Sequence, residues 1–211
     1  MTERVTDIKK RVGHRLVHLA SGETLKVPHA LFRLHPLKVN EEIELAAYAQ
    51  KISAEEGRYA LEAAVRMLET RDRSVLEIAN KLTDAGFSAK SARQACDKLQ
   101  TLGYLDDARY AQLTAKRLSK KYGAIRIRRE LRNKGIQEQL IEDVLEESDT
   151  ADQVEAAIKI ISKSYARQKG EPEARYCRAY AALARRGYTP DVVKAALEAV
   201  IAEYEPDSSD V

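Results

Sequence analysis

Three octapeptides in this chain align without a gap: Lys81-Leu82-Thr83-Asp84-Ala85-Gly86-Phe87-Ser88, Glu130-Leu131-Arg132-Asn133-Lys134-Gly135-Ile136-Gln137, and Ala182-Leu183-Ala184-Arg185-Arg186-Gly187-Tyr188-Thr189. Each places Leu four residues ahead of Gly. An apolar residue follows the Gly, and a polar or capping residue follows that. The glycines are 49 and 52 residues apart, and self-similarity at such a period signals stacked supersecondary units. The shared element is a helix end. The Gly takes the left-handed position that stops the helix, and the next apolar residue folds back onto the last turn.

Around each Gly the apolar spacing is helical. After it come Ala92, Ala95 and Leu99; Leu140, Val144 and Leu145; and Val192, Val193, Ala196, Leu197 and Val200. Before it, an earlier helix in each unit carries Leu61, Ala64, Val65 and Leu68; Ala111, Ala115, Leu118 and Tyr122; or Val154, Ile158, Ile161 and Tyr165. These are amphipathic stripes at helical period. Ser74-Val75-Leu76-Glu77 reads as a capping box, and Thr189-Pro190 as a cap followed by Pro at the first helical position. The expected architecture is mainly α: three tandem three-helix repeats at 55–105, 106–149 and 150–205 that form an elongated, curved stack. Residues 206–211 are expected to be a disordered tail. The dominance of Ala, Leu, Glu, Lys and Arg, with only nine Gly and five Pro in 211 residues, agrees with a helical chain.

Residues 1–54 differ in texture and hold all four histidines. Arg11 to Leu19 reads as a strand, Ala20 to Glu23 as a turn, and Thr24 to Val27 as a return strand, with Gly22 supplying a positive φ. A lone hairpin is marginal in water, so it is expected to pack on Pro28 to Ile43 or on the first helix. His14 and His18 share one strand face, but no thiolate or suitably spaced carboxylate accompanies them, so they read as packing or surface residues rather than metal ligands.

The net charge of +3 hides strong segregation. Residues 116–134 hold nine cations (Lys116, Arg117, Lys120, Lys121, Arg126, Arg128, Arg129, Arg132, Lys134) against one acid, Glu130, a local charge of +8. Residues 138–155 hold eight acids and no Lys or Arg. In the second unit's middle helix, Ile127 and Leu131 turn to the core while Arg128 and Arg132 share another face. A second cluster, Arg175, Arg178, Arg185 and Arg186, lies at the matching place in the third unit, interleaved with Tyr176, Tyr180 and Tyr188. Such faces suit a phosphate backbone or an acidic protein surface. The plainer reading is a solvated basic face balanced by the acidic third helix of the same unit. For the tyrosines it is core packing with the hydroxyl at the surface.

No phosphate loop, GxGxxG, HExxH or GxSxG is present, so no enzyme, cofactor or metal is expected. Asp106-Asp107 complements a helix N-terminus without invoking catalysis. Cys96 and Cys177 lie in helical patterns and read as small buried hydrophobes. No apolar run is long enough to span a bilayer and no secretory signal opens the chain, so a cytoplasmic protein is expected.

Several of these stretches resemble the RecX family. Arg71-Asp72-Arg73-Ser74, with Leu76-Glu77 and Lys81-Leu82 after it, is similar to that family's opening. Leu102-Gly103-Tyr104-Leu105-Asp106-Asp107-Ala108-Arg109-Tyr110-Ala111 is similar to its most distinctive stretch. Gly123 to Ile136 matches its second unit, and Arg185-Arg186-Gly187-Tyr188 its third. The resemblance covers residues 58 to about 202. It implies a non-enzymatic regulator that binds the RecA–single-stranded DNA filament in its groove. Such a protein suppresses ATP hydrolysis and strand exchange in recombination, DNA repair and the SOS response. The family brings no catalytic residue, and its second-unit basic positions map to Arg126, Arg128, Arg129 and Arg132. With the remaining cations (Lys116, Lys120, Lys121, Lys134, Arg175, Arg178, Arg185 and Arg186) these form the expected partner surface, making a weak single- or double-stranded DNA contact. A monomer suits insertion into a groove. The alternatives are a helix-turn-helix DNA reader, for which no clear recognition helix is present, and a helical-repeat protein adaptor.

Overall fold

The computed structural model describes residues 1–147 and 149–204, so the expected tail at 206–211 lies outside the described residues. The backbone divides into two compact units, Met1–Asp106 and Asp107–Val211.

In the first unit the expected hairpin is part of a larger sheet. Strands β1 (Thr2–Lys10), β2 (His14–Leu19), β3 (Thr24–Pro28) and β4 (Glu42–Glu44) pair antiparallel in the order β3-β2-β1-β4. The hairpin read from the sequence is β2–β3, with Gly22 at φ 91° in its turn. It begins at His14 rather than Arg11. Gly13 sits at φ 84°, the Arg11 N–H donates to the His14 carbonyl, and Val12 lies in solvent. Strand β1 escaped notice because its apolar residues, Val5 and Ile8, are three apart, which breaks a two-residue period. The register shift between Val5 and Asp7 absorbs the odd residue and turns both toward the core. Strand β4 is too short to show any pattern.

Helices α1 (His29–Leu34), α2 (Leu45–Thr70), α3 (Val75–Asp84) and α4 (Ala89–Thr101) complete this unit. Helix α2 starts at Leu45, well before the helical pattern becomes legible near residue 57. Its N-cap is Glu44, whose carboxylate accepts from the Ala47 N–H at 2.7 Å, and Glu is not among the usual cap signals. The first turns of α2 bring Tyr48 and Ile52 into one core cluster with the sheet's Val5, Val17 and Val27, and its later turns add Ala60 and Ala64 to that cluster, which also holds Ile78, Leu82 and Leu99. Sheet and first repeat therefore share one core. Val65, expected in the core stripe, is exposed. On α3 the Ser74 hydroxyl accepts from the Glu77 N–H, one half of the expected capping box, and the Glu77 carboxylate accepts from Arg71.

The second unit holds α5 (Asp107–Ser119), α6 (Ala124–Asn133), α7 (Glu138–Glu146), α8 (Thr150–Tyr165), α9 (Pro172–Arg185) and α10 (Pro190–Tyr204). Helices α5 to α7 enclose Tyr110, Ala111, Ile127, Leu131, Ile136 and Ile141. Helices α8 to α10 enclose Ile161, Tyr165, Leu183, Tyr188, Val193 and Leu197. Two expectations in the third repeat fail. Cys177 is exposed, because Ala179 and Leu183 define the buried stripe and a residue two positions before Ala179 points the other way. The Tyr188 hydroxyl is buried with no hydrogen-bond partner among the described residues rather than at the surface, and burial raises its pKa.

The helix ends follow one chemistry. Gly86, Gly135 and Gly187 have φ of 95°, 75° and 82°. In each case the Gly N–H donates to the carbonyl three residues back, at Thr83, Arg132 and Ala184. The following N–H, of Phe87, Ile136 or Tyr188, reaches the carbonyl of Leu82, Leu131 or Leu183. This is the Schellman arrangement, and the apolar contact between the two bonded residues accompanies it. A fourth copy ends α4, where Gly103 (φ 74°) donates to Gln100 and Tyr104 to Leu99. There Tyr104 is exposed and the next residue, Leu105, is buried in its place.

Two glycines join the second and third repeats. A Cβ on Gly123 would lie 2.4 Å from the Gly187 carbonyl oxygen and from the backbone of Tyr188. Gly57, inside α2, has open space around it. Gly123→Ala should therefore lower stability in urea unfolding by about 1–3 kcal/mol, the usual cost of overpacking. Gly57→Ala should raise it by about 0.5–1 kcal/mol through helix propensity. Equal effects of the two substitutions would contradict the close approach.

Candidate nucleic-acid interface

Helix α6 forms without a side-chain cap. Its N-cap is Gly123, in extended backbone. The donors at its start are satisfied by the end of α9 instead: the Gly123 N–H donates to the Arg186 carbonyl at 3.1 Å and the Ile125 N–H to the Gly187 carbonyl at 3.0 Å. Unpaired donors at one helix start thus meet unpaired acceptors at another helix end. Only glycine at both positions allows the approach, since a Cβ on Gly187 would strike the Arg126 backbone at 2.6 Å.

That joint carries a basic cleft of about 410 Å³, lined by Lys121, Tyr122, Arg126, Ile160, Arg185 and Arg186. Four of the six lining residues are cations and none is an acid. The Arg126 guanidinium lies 3.8 Å from the Tyr122 ring centroid, a close cation–π contact. Its nearest carboxylate is Glu130, at 3.9 Å from Nε, beyond hydrogen-bond range. The Arg126 Nε is itself buried without a hydrogen-bond acceptor among the described residues. Arg186 donates to the Ala182 carbonyl at 3.3 Å. Lys121 and Arg185 have no ion-pair partner among the described residues.

The other expected cations do different work. Arg128 and Arg132 project from one face of α6, as their spacing required, but that face meets α7. Arg128 donates to Glu138 at 2.7 Å and also lies 3.6 Å from Glu142. Arg132 makes two bonds to the same Glu138 carboxylate, at 2.6 and 2.7 Å. Glu138 is the first residue of α7, where its charge also suits the helix dipole. The basic helix is thus clamped to the acidic one. Arg178 closes the loop between α8 and α9 by donating to the Lys169 carbonyl at 2.8 Å and to Gln168. Arg175 stacks on Tyr165. Lys116, Lys120 and Arg129 are exposed, and Lys134 is half-buried at the cap of α6.

The sequence reading placed Tyr122 only on a core stripe and gave Gly123 and Ile160 no role. One signal was available: Tyr122 and Arg126 are four apart, the spacing of facing residues on a helix, although the chain between them turns at Gly123. The convergence of Lys121 and Arg126 with Arg185 and Arg186, about sixty residues on, has no signal in a single sequence.

In the first unit, a cleft of about 710 Å³ has Leu25, Leu45 and Ile52 in its wall. Its carboxylate, Glu56, already accepts from the Ser88 N–H at 2.6 Å and from the Ser88 and Ser91 hydroxyls at 2.7 Å. It fastens the start of α4 to α2.

The Arg132 hydrogen bond, helped by Arg128, holds the Glu138 carboxyl below its ordinary value of 4.5. A carboxyl with a depressed folded pKa stabilises fully above its unfolded value, and the effect fades as pH falls through the folded one. An NMR titration should therefore show Glu138 ionising below 4.5. Arg132→Ala should move that midpoint upward, and an unmoved midpoint would exclude the clamp.

Comparison with known proteins agrees with this layout. The family models for the first, second and third three-helix domains of RecX match residues 60–99, 106–145 and 151–197. A regulatory protein RecX of Legionella pneumophila (strain Corby) is 32% identical over 146 residues, which cover 69% of this chain and 97% of the relative. One of Trichlorobacter lovleyi is 34% identical, over 64% of this chain and 92% of its own length. The fold is similar to a crystal structure of regulatory protein RecX (TM-score 0.63, 22% identity, 93% of this chain and 99% of that one). It is also similar to that of RecX from Lactobacillus salivarius (TM-score 0.64, 20% identity, 70% and 97%). With three domain models matched in order and relatives covered almost end to end, this chain belongs to the RecX family.

Proposed function

We propose that this protein is a non-enzymatic regulator of the RecA recombinase that binds the RecA–single-stranded DNA filament and mainly inhibits its ATPase and strand exchange. The observation that carries the reading is the ordered match of all three RecX three-helix domains, together with relatives named regulatory protein RecX. The chemistry of the chain supports it. The charged groups of Arg128, Arg132 and Glu138 are engaged with one another, and Glu56 serves as a cap. Neither set is arranged for proton transfer, whereas the cleft between repeats presents cations to a polyanion.

The proposed working surface is narrower than the full set of twelve cations. Lys121, Arg126, Arg185 and Arg186 make up its centre, and the exposed Lys116, Lys120 and Arg129 are further contacts. The protein works in recombination, DNA repair and the SOS response, in the cytoplasm and as a monomer. No helix among the described residues is long and apolar enough to cross a membrane.

The test is the DNA-dependent ATPase of the cognate recombinase with increasing amounts of this protein. A dose-dependent fall is expected, and no effect at several-fold excess over recombinase would sink the proposal. Reversing the exposed Lys121, Arg129 and Arg185 to Glu, with the Arg128 and Arg132 clamp left intact, should weaken filament binding while circular dichroism shows the helices retained. Filament binding unchanged at low and moderate salt would remove the basic face from the reading.

A further inference from the structure

We propose that the cleft between the second and third repeats is a built seat for one phosphodiester group of a single-stranded nucleic-acid backbone, held by Lys121, Arg126, Arg185 and Arg186. It rests on the regulator reading only for the source of the phosphate. The seat itself follows from the geometry.

Two independent observations point to an anion here. The first is composition in space. Four cations from three separate places in the chain line one cleft with no carboxylate among them. On the face of the same helix that meets α7, Arg128 and Arg132 are matched by Glu138. Like charges gathered at a concave surface, with only the Glu130 carboxylate 3.9 Å from Arg126 set against them among the described residues, raise the local potential for an anion. The second observation is a pre-positioned guanidinium. Arg126 is held against the Tyr122 ring, 3.8 Å from its centroid. A cation already fixed in place loses less conformational freedom on meeting a phosphate than a free side chain does.

The seat is also rigid. Arg126 is fixed by the backbone bonds of Gly123 and Ile125 to the end of α9, and Arg185 and Arg186 stand on that same end. The distance between the cations is therefore set by the main chain and not by flexible side chains alone. A compact tetrahedral anion suits four converging donors better than a planar carboxylate does. A cleft open to solvent at the joint of two repeats admits a continuous backbone, where a closed pocket would select a free nucleotide.

The experiment is fluorescence anisotropy of labelled (dT)20 with the full chain, without recombinase, at several salt concentrations. Lys121→Gln combined with Arg185→Gln removes two cations that hold no internal partner among the described residues, so the fold should survive; circular dichroism checks it. Affinity should fall about tenfold and the slope of log affinity against log salt should shrink by about 0.7, the value of one single-strand phosphate contact. Lys98→Gln with Lys194→Gln changes net charge equally at exposed sites outside the cleft and should change affinity less than threefold. An unchanged slope in the cleft variant, or equal losses in both variants, overturns the proposal. ATP and inorganic pyrophosphate serve as competitors: displacement of (dT)20 only at large excess supports a backbone seat, and displacement by ATP at concentrations near those of the oligonucleotide overturns it in favour of a nucleotide site. The recombinase ATPase assay separates the two readings. Wild-type protein that binds (dT)20 through the cleft but leaves the ATPase untouched keeps the seat and ends the regulator reading. Inhibition of the ATPase with oligonucleotide binding insensitive to the cleft variant does the reverse.

Discussion

A helix that stops leaves carbonyls without donors, and the repeat architecture of this chain depends on how those carbonyls are met. Here a left-handed glycine lets the chain reverse so that two N–H groups reach back into the last turn. The reversal also drives an apolar side chain onto the helix it has just left. One local event therefore ends a helix, starts the next and sets the first contact of a core. Repetition of the event at Gly86, Gly135 and Gly187 makes a repeat protein. At Gly187 the same reversal exposes the Arg186 and Gly187 carbonyls to the start of α6, so one helix end also becomes the mortar between repeats.

This explains why the helical part was legible and the N-terminal part only half so. The helix ends rest on local rules: Leu, Gly and an apolar residue at fixed offsets, with Ser74 or Thr189-Pro190 nearby. Pairing of β1 and β4 rests on partners far along the chain. Strand β1 hides its pattern behind a bulge, and β4 is three residues held by pairing with β1 alone. The start of α2 is equally hidden in the sequence, because Glu44 caps it and its early apolar residues share a core with a sheet whose strands β1 and β4 show no two-residue period.

The charge pattern was visible as segregation, but its purpose was not. A run of cations followed by a run of acids fits two arrangements: a basic face awaiting a partner, or two helices that neutralise each other. The structure contains both, divided by a helical period. Arg128 and Arg132 fall on the side facing α7 and are held by Glu138. Arg126 falls on the side facing the third repeat, where it meets more cations. A shift of two residues on a helix turns a side chain through about 200°, and here it separates a structural arginine from one open to a partner.

The glycine joint gives that division mechanical meaning. Gly123 and Gly187 bring two backbones into contact, and no side-chain rearrangement can close the distance if either gains a Cβ. The backbones that carry Arg126, Arg185 and Arg186 are therefore positioned by covalent geometry and main-chain hydrogen bonds, the stiffest means a protein has. Long basic side chains on a mobile surface pay a large rotameric cost on meeting a phosphate. Mounting them on a fixed joint, with Arg126 pressed against Tyr122, lowers that cost before any partner arrives. The same residues that end one repeat and begin another thus set how the chain presents its charge.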